Sequence, residues 1–330
     1  MNNPDYPGLD VLALIGHTAA GKTTLAAHLA LLLGGEVISA DSRQVYRGMD
    51  IGTGKDLADY RIGDINIKYH LIDLINAGEK YSLFDFQEDF GQAYNDIRSR
   101  GKLPILCGGT GLYTEAILRG YELSEVPVNE EFRKSIEDKS DEELTKMLKS
   151  FGSLHNRSDT TSRDRLIRAI EIARSNPEPR PLGHMNQGIK AKVFGLSYDT
   201  EARRQRITQR LSERLENGMI EEVRTLLVTI KPEDLMYYGL EYKYLTLYCL
   251  GKITYDEMFS LLNTAIHQFA KRQMTWFRGM ERRGIPITWI PGELSLEEKI
   301  EVVLRGLPVV GYQVPTPTPP LFREGLGWVP

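Results

Sequence analysis

Short unbroken apolar runs alternate with helix-period stretches over the first third of the chain. Val11-Leu12-Ala13-Leu14-Ile15 runs into a glycine-rich turn and reads as a buried parallel strand, since a strand covered on both faces has no polar side to show. Residues 22–33 follow with Leu25, Leu29 and Leu32 on one helical face, and Gly34-Gly35 stops the helix. A second run, Val37-Ile38-Ser39-Ala40, ends at Asp41. A third, Pro104-Ile105-Leu106-Cys107, enters Gly108-Gly109-Thr110-Gly111 and another apolar helix. This alternation predicts a parallel α/β sheet, and such sheets bind ligands at the carboxyl ends of their strands. Thr18, Asp41 and Thr110 are expected there, with Asp41 ending the strand adjacent to the first.

The pattern changes over residues 121–185. This segment is charged and helix-biased at 130–149 and 164–174, and it closes in Asn176-Pro177-Glu178-Pro179-Arg180-Pro181. It predicts a helical insertion. Strand character returns at Lys192-Val193-Phe194-Gly195-Leu196-Ser197, and a long amphipathic helix follows with Ile207, Leu211 and Leu215 as its stripe and Asn217-Gly218 as its break. Thr254 and Glu257 have capping-box spacing and open another helix, whose face is Phe259, Leu262, Ile266 and Phe269. Ile287-Thr288-Trp289-Ile290 predicts a closing strand. The stretch 311–330 has four prolines and no period, which predicts a disordered tail. The expected organisation is a P-loop core of 9–120 with 190–308, a helical insertion at 121–185, and the tail.

Length and composition narrow the classes. A chain of 330 residues suits about two compact units. With 41% hydrophobic and 26% charged residues it needs no covalent staples. Cys107 and Cys249 are too few and too far apart for a disulfide framework or structural zinc, which favours a reducing, cytoplasmic setting. No basic, apolar leader precedes Val11, and no run approaches the ~18 apolar residues of a membrane span. The net charge of −4 gives no global reason to expect nucleic acid. Arginines do cluster at 163–174, at 203–214 and near Lys271, although each cluster alone reads as a solvated helix face.

The strongest chemical signal is Gly16-His17-Thr18-Ala19-Ala20-Gly21-Lys22-Thr23, a full P-loop pattern with the required strand before it and helix after it. In such a loop backbone N–H groups wrap a phosphate, the helix N-terminus adds positive potential, the lysine supplies charge and the threonine can hold Mg²⁺. Asp41 admits three roles from spacing alone: general base, magnesium ligand or helix cap for Ser42 onward.

Beyond the P-loop, Ile38-Ser39-Ala40-Asp41-Ser42-Arg43-Gln44-Val45-Tyr46-Arg47-Gly48-Met49-Asp50-Ile51-Gly52-Thr53 resembles the long signature of the tRNA dimethylallyltransferases (tRNA isopentenyltransferases). So do His70-Leu71-Ile72-Asp73, Gly108-Gly109-Thr110-Gly111-Leu112-Tyr113, Asp164-Arg165-Leu166-Ile167-Arg168-Ala169 and Lys271-Arg272-Gln273-Met274-Thr275-Trp276-Phe277. They occur in the family's order over residues 9–290. The resemblance implies a P-loop NTPase-like core that grips dimethylallyl diphosphate instead of ATP. The prenyl group then passes to N6 of the adenosine immediately 3′ of the anticodon, and pyrophosphate leaves. Carried over residue by residue, Asp41 is the general base and Thr18 bonds the diphosphate near the breaking bond. Residues Gly16, His17, Thr18, Ala19, Ala20, Gly21, Lys22 and Thr23 form the diphosphate loop, Thr23 holds Mg²⁺, and Arg210 is a clamp. Contacts to the tRNA anticodon stem-loop fall to Asp41, Ser42, Arg43, Gln44, Thr110, Arg133, Asp164, Arg165, Leu166, Ile167, Arg168, Lys271, Arg272, Gln273, Met274, Thr275 and Trp276. The protein is expected to act as a monomer.

The target base must be extruded from its loop, and unstacked bases stack well on aromatic rings. Trp276, Phe277 and Tyr113 can serve there or can be core aromatics. The sequence departs from the family pattern at His17, where proline is usual, at Ala20, where serine is usual, and at Glu241, where glycine is usual. The first two do not ligate phosphate through their side chains in the generic motif. Glu241 bears on RNA contact and on the acceptor. Three other functions compete: prenyl transfer to a free adenine nucleotide, a P-loop small-molecule kinase, and a non-catalytic RNA-binding protein. The insertion and Lys271-Arg272-Gln273 disfavour the first, because a mononucleotide needs no such extended surface. A kinase would consume ATP.

Overall fold

Burial on both faces explains the two central strands. Every residue of β1 (Val11–Gly16) and β6 (Leu103–Gly108) is buried, which is why both read as unbroken apolar runs. The computed structural model describes residues 6, 8–121, 123, 125–151, 162–175 and 189–308, and the segments 176–181 and 311–330 read above lie outside them. The other strands are β2 (Gly35–Ser39), the antiparallel pair β3 (Arg61–Ile62) and β4 (Ile65–Asn66), β5 (Tyr69–His70), β7 (Ala191–Ser197) and β8 (Ile287–Pro291). Six of them form a parallel sheet in the order β5-β2-β6-β1-β7-β8. The α/β class with a P-loop-like parallel core is therefore the one adopted.

One expectation about this sheet is corrected. Asp41 does not end the strand next to β1, because β6 lies between β1 and β2. The insertion of β6 depends on Gly108, where a Cβ would collide with the backbone of Ala40. With that room, pairing continues past the end of β2: Ala40 N donates to Cys107 O (2.8 Å) and Thr110 N to Ala40 O (3.2 Å).

The helices are α1 (Lys22–Leu33), α2 (Leu83–Ser99), α3 (Gly111–Arg119), α4 (Glu130–Ser135), α5 (Asp141–Ser150), α6 (Arg163–Ser175), α7 (Thr200–Glu216), α8 (Met219–Leu226), α9 (Pro232–Leu235), α10 (Leu240–Cys249), α11 (Tyr255–Arg282) and α12 (Leu296–Gly306). Gly34 ends α1 in the left-handed region at φ 62°, and the Thr254 capping box opens α11. On α11 the buried stripe is Met258, Leu262, Ile266, Ala270 and Phe277, so Phe269 sits one position off the core and is 39% exposed. Sheet residues and α1 with α12 form one core, while α7, α8, α10 and α11 form a second with Val45, Tyr46 and Met49. Among the described residues no helix is long and apolar enough to cross a membrane.

By its contacts the chain divides into two compact units, Met1–Gly120 with Gln187–Pro330, and Tyr121–Asn186. In the smaller unit the stretch 130–149 is two helices. Asn129 caps the first and the Ser140–Glu143 capping box starts the second. Phe132, Ile136, Leu144, Leu148, Leu166 and Ile170 make its core.

At the amino end of β2, buried Glu36 bonds Arg100 (Nη2, 2.8 Å), Lys102 (2.8 Å) and His70 (2.8 Å). Burial raises its carboxyl pKa, but those three partners outweigh it and hold the group well below the usual range. Glu36, His70 and Asp96 have a spacing that could hold a metal. Arg100, Lys102 and Lys68 already neutralise the carboxylates there, so the cluster is an ion-pair staple joining β2, β5 and α2.

Candidate active site

The loop between β1 and α1 curls because three residues adopt positive φ: Gly16 (153°), Ala19 (61°) and Gly21 (78°). A Cβ at Gly16 would lie 2.9 Å from Leu196 O on β7, so glycine is required there for close approach. Ala19 holds a left-handed conformation without being glycine, a strain of about 1–3 kcal/mol that is common at ligand loops. Its carbonyl accepts Arg206 Nε at 3.1 Å. Lys22 Nζ donates to His17 O at 2.7 Å, bridging the loop it serves. Thr23 is half-buried at the first turn of α1, and among the described residues its hydroxyl has no hydrogen-bond partner. A hard hydroxyl oxygen at that place fits Mg²⁺.

His17 is fully buried, and its Nδ1 lies 2.6 Å from Thr18 O. That carbonyl only accepts, so Nδ1 carries the proton. Burial pushes the imidazole pKa down to about 4, which keeps the ring neutral, and it packs edge-on against Tyr198 with centroids 5.7 Å apart. The ring is therefore withdrawn from solvent.

Arg206, Arg210 and Arg214 recur every four residues on α7 and so share one face. Arg210 Nη1 donates to Thr18 Oγ1 (3.2 Å) and Nη2 to Asp56 Oδ2 (2.6 Å), and Arg214 shares Asp56 at 3.1 Å. Gly54 makes space for this cluster, since a Cβ there, at φ 67°, would collide with both guanidinium groups. Beside them lies a small cleft open to solvent, lined by Thr18, Ala19, Ile207, Arg210, Leu211, Arg214, Met219, Glu241 and Ile266. Glu241 thus faces the arginines that reach the P-loop. Burial of its carboxyl raises its pKa, with Arg214 and Arg210 opposing that rise.

No helix begins at Ser42, which removes the helix-cap role for Asp41. Asp41 Oδ1 instead accepts Arg43 N at 3.0 Å in a local turn, and among the described residues Oδ2 has no partner. Ser42 N donates to Thr110 Oγ1 at 3.1 Å, joining the ends of β2 and β6. The segment beyond is pinned by Lys55, whose ammonium is fully buried and donates to Tyr46 O (2.8 Å), Asp50 Oδ1 (2.5 Å) and Asp73. Neither Lys55 nor Asp56 stands out in the sequence, because their partners are set by the loop's folding and not by a period. The consecutive pattern Gly52-Thr53-Gly54-Lys55 is the one local signal.

Several residues expected at the RNA are buried or hydrogen-bonded within the protein. Gln44 spends its amide internally, donating to Gly54 O (2.9 Å) and accepting Ser39 Oγ (2.7 Å). Gln273 is buried and ties the P-loop to the β6–α3 turn: its Oε1 accepts Thr18 N (2.9 Å) and its Nε2 donates to Gly109 O (2.9 Å). Met274 is in the core of α11, and Leu166 is in that of the smaller unit, because both fall on apolar stripes. Tyr113 and Phe277 are core aromatics, Tyr113 stacking on Phe86 at 4.1 Å. Trp276 is half-buried under Gly111, where a Cβ would collide with its indole.

Lys271, Arg272 and Thr275 remain exposed on α11, and Ser42, Arg43 and Thr110 are half-exposed at the sheet's carboxyl edge. In the smaller unit Asp164 and Arg165 are exposed and Ile167 half-buried. Arg133 grips buried Glu171 with two bonds (2.8 and 2.9 Å), and Arg168 adds a third (3.2 Å). Both arginines thus hold that unit together.

Comparison with known proteins decides the family. The model of the IPP transferase family matches residues 44–280. This chain belongs to the IPP transferase family. It is 55% identical over 312 residues to tRNA dimethylallyltransferase 2 of Bacteroides fragilis strain YCH46, covering 93% of this chain and 99% of the relative. It is 54% identical to tRNA dimethylallyltransferase 1 of Parabacteroides distasonis, covering 90% and 97%. Among solved structures, the tRNA isopentenylpyrophosphate transferase of Bacillus halodurans matches with a TM-score of 0.65 at 31% identity, over 90% of this chain and 94% of that one. A eukaryotic dimethylallyltransferase acting on tRNA matches in fold, with a TM-score of 0.71 at 22% identity, over 91% and 80%.

In this chain the loop lysine carries a charge that alkaline pH removes. Burial, with Arg210 adding to it and Asp41 partly opposing, lowers the Lys22 pKa to about 8. The protonated form binds an anion, and the free protein loses it as pH rises through about 8. An anion held by Lys22 in this loop should therefore bind evenly below that pH and more weakly above it, by up to about tenfold per unit. Calorimetric titration of dimethylallyl diphosphate between pH 6.5 and 9.5 reads this directly, and Lys22→Ala should flatten the profile.

Proposed function

We propose that this chain transfers a dimethylallyl group from dimethylallyl diphosphate to N6 of the adenosine immediately 3′ of the anticodon in tRNA, releasing pyrophosphate. The observation that carries the reading is a convergence at one sheet edge. The carboxylate after β2 is joined through Ser42–Thr110 to the end of β6, and Gln273 joins that turn to Thr18, which Arg210 touches. Base and leaving-group binders thus share one frame.

In this reading the diphosphate lies in the loop formed by residues 16–23, with Lys22 and Arg210 opposing its charge and Thr18 Oγ1 beside the breaking bond. Thr23 would hold Mg²⁺, which supplies further positive charge to the leaving group. The N6 lone pair forms a bond to the first prenyl carbon while the carbon–oxygen bond breaks and its electrons pass to the departing pyrophosphate. Asp41 Oδ2 takes the N6 proton, which raises the nucleophilicity of a weakly basic amine. Lys271, Arg272 and Arg43 offer cations to the phosphodiester backbone. Cytoplasmic tRNA is the acceptor, and one chain suffices.

The test is direct: incubate the protein with unmodified tRNA and labelled dimethylallyl diphosphate, without ATP, and analyse nucleosides by mass spectrometry. N6-dimethylallyl adenosine is the expected product. A requirement for ATP, or product on free adenine nucleotides alone, would overturn the assignment.

A further inference from the structure

We infer that Tyr237, with Arg43 over its ring, is a stacking platform for one unpaired nucleobase of the RNA acceptor; this rests on the tRNA reading above. Tyr237 lies in the 3₁₀ turn Met236–Tyr238 after α9 and is 69% exposed. Exposure alone means little, since Val228 is 82% exposed. Three further observations separate Tyr237 from such residues.

Its mount is rigid. Neighbouring Tyr238 is buried at 3%, packs edge-on against Tyr46 with centroids 4.7 Å apart, and its hydroxyl accepts Gly78 N. The adjacent ring is held outward by that anchor and meets it edge-on at 5.9 Å. The second observation is Arg43, whose guanidinium carbon lies 5.6 Å from the Tyr237 centroid. The pair is non-local in sequence. By contrast, Arg272 over Phe269 is an i,i+3 pair that helix geometry produces on its own. The third is location. Arg43, the residue over the ring, is two residues from the carboxylate assigned as base, and its N–H is bonded to Asp41 Oδ1.

An exposed aromatic face with a guanidinium beside it is the chemistry that binds unstacked bases. The ring stacks on a base of any identity, and the cation serves the adjoining phosphate or stacks in turn. A base extruded toward Asp41 leaves its neighbours without a stacking partner, and the exposed ring beside Arg43 can supply one. The platform would recognise single-stranded loop structure and not sequence.

The test uses the full chain and a synthetic anticodon stem-loop. Tyr237→Ala should weaken stem-loop affinity about 5- to 150-fold, the range for losing one base–aromatic stack, while Tyr237→Phe stays within about twofold of wild type. Dimethylallyl diphosphate affinity and the melting temperature should not change in either variant. A series of stem-loops, each with one abasic nucleotide in the loop, should contain one position where wild type loses affinity and Tyr237→Ala loses nothing more. If wild type binds and prenylates the stem-loop and Tyr237→Ala matches it, the platform is refuted. Equal losses in the Phe and Ala variants would also refute it, pointing to the hydroxyl. Should wild type itself fail to bind or prenylate, the tRNA reading falls and the platform falls with it.

Discussion

Asp41→Asn slows the single-turnover chemical step by about 10²–10⁴-fold, the usual worth of a positioned general base, and leaves both substrate affinities near wild type. The asparagine is the informative variant. Its amide oxygen can still accept Arg43 N–H, so the turn after β2 survives, while the basic oxygen is gone. Asp41→Ala should be as slow and in addition lose about 0.5–1.5 kcal/mol of stability with that hydrogen bond. The two variants together separate chemistry from architecture. A magnesium-ligand role would show instead as a shifted metal requirement, partly rescued by raising Mg²⁺. Wild-type single-turnover rates in folded Asp41→Asn would remove the base from the mechanism.

Lys55→Met gives the largest expected loss of stability, about 3 kcal/mol, seen as a lowered midpoint in urea without a change in slope. The ammonium is wholly buried and neutralises Asp50 and Asp73 together. Both carboxylates keep some solvent, at 54% and 36% side-chain exposure, so the loss falls at the low end for breaking a buried pair. Met restores the buried chain length but no charge. Because Lys55 also holds Tyr46 O, the variant should loosen the segment from Asp41 to Gly54, and its stem-loop affinity should fall more than its diphosphate affinity. Equal stability in urea would show that the two carboxylates are adequately solvated without their lysine.

How much of this was legible in the sequence follows from how local each feature is. The P-loop is eight consecutive residues with a strand and a helix at its flanks, and the conformations it needs are written in Gly16 and Gly21. β1, β6 and β7 show as apolar runs because burial on both faces leaves no alternative. Strand order is different: β6 enters between β1 and β2 through a contact between Gly108 and Ala40, which no window along the chain contains. Gln273 sits in a segment that resembles an RNA-contact motif, yet its amide is consumed by Thr18 and Gly109, more than 150 residues away. Tyr237 lies in a three-residue turn with no period to read. Residues 83–99 carry no assignment from the pattern above, although Ser82 with Asp85 has capping-box spacing and Phe86, Phe90, Ala93 and Ile97 form a stripe. That helix was readable from local signals.

Gly54 has a consequence for how this site can change over evolutionary time. Its missing side chain is the space that Arg210 and Arg214 occupy while sharing Asp56. A methyl group at 54 would force the guanidinium groups to shift, Arg214 first, and Arg210 is the one that reaches Thr18. The backbone at 54 stands at φ 67°, which strains any side chain whatever room it has, so a shorter residue at 214 does not by itself admit alanine at 54. Position 54 is thus held to glycine on two independent grounds: a library that varies 54 should return glycine whether or not 214 varies with it.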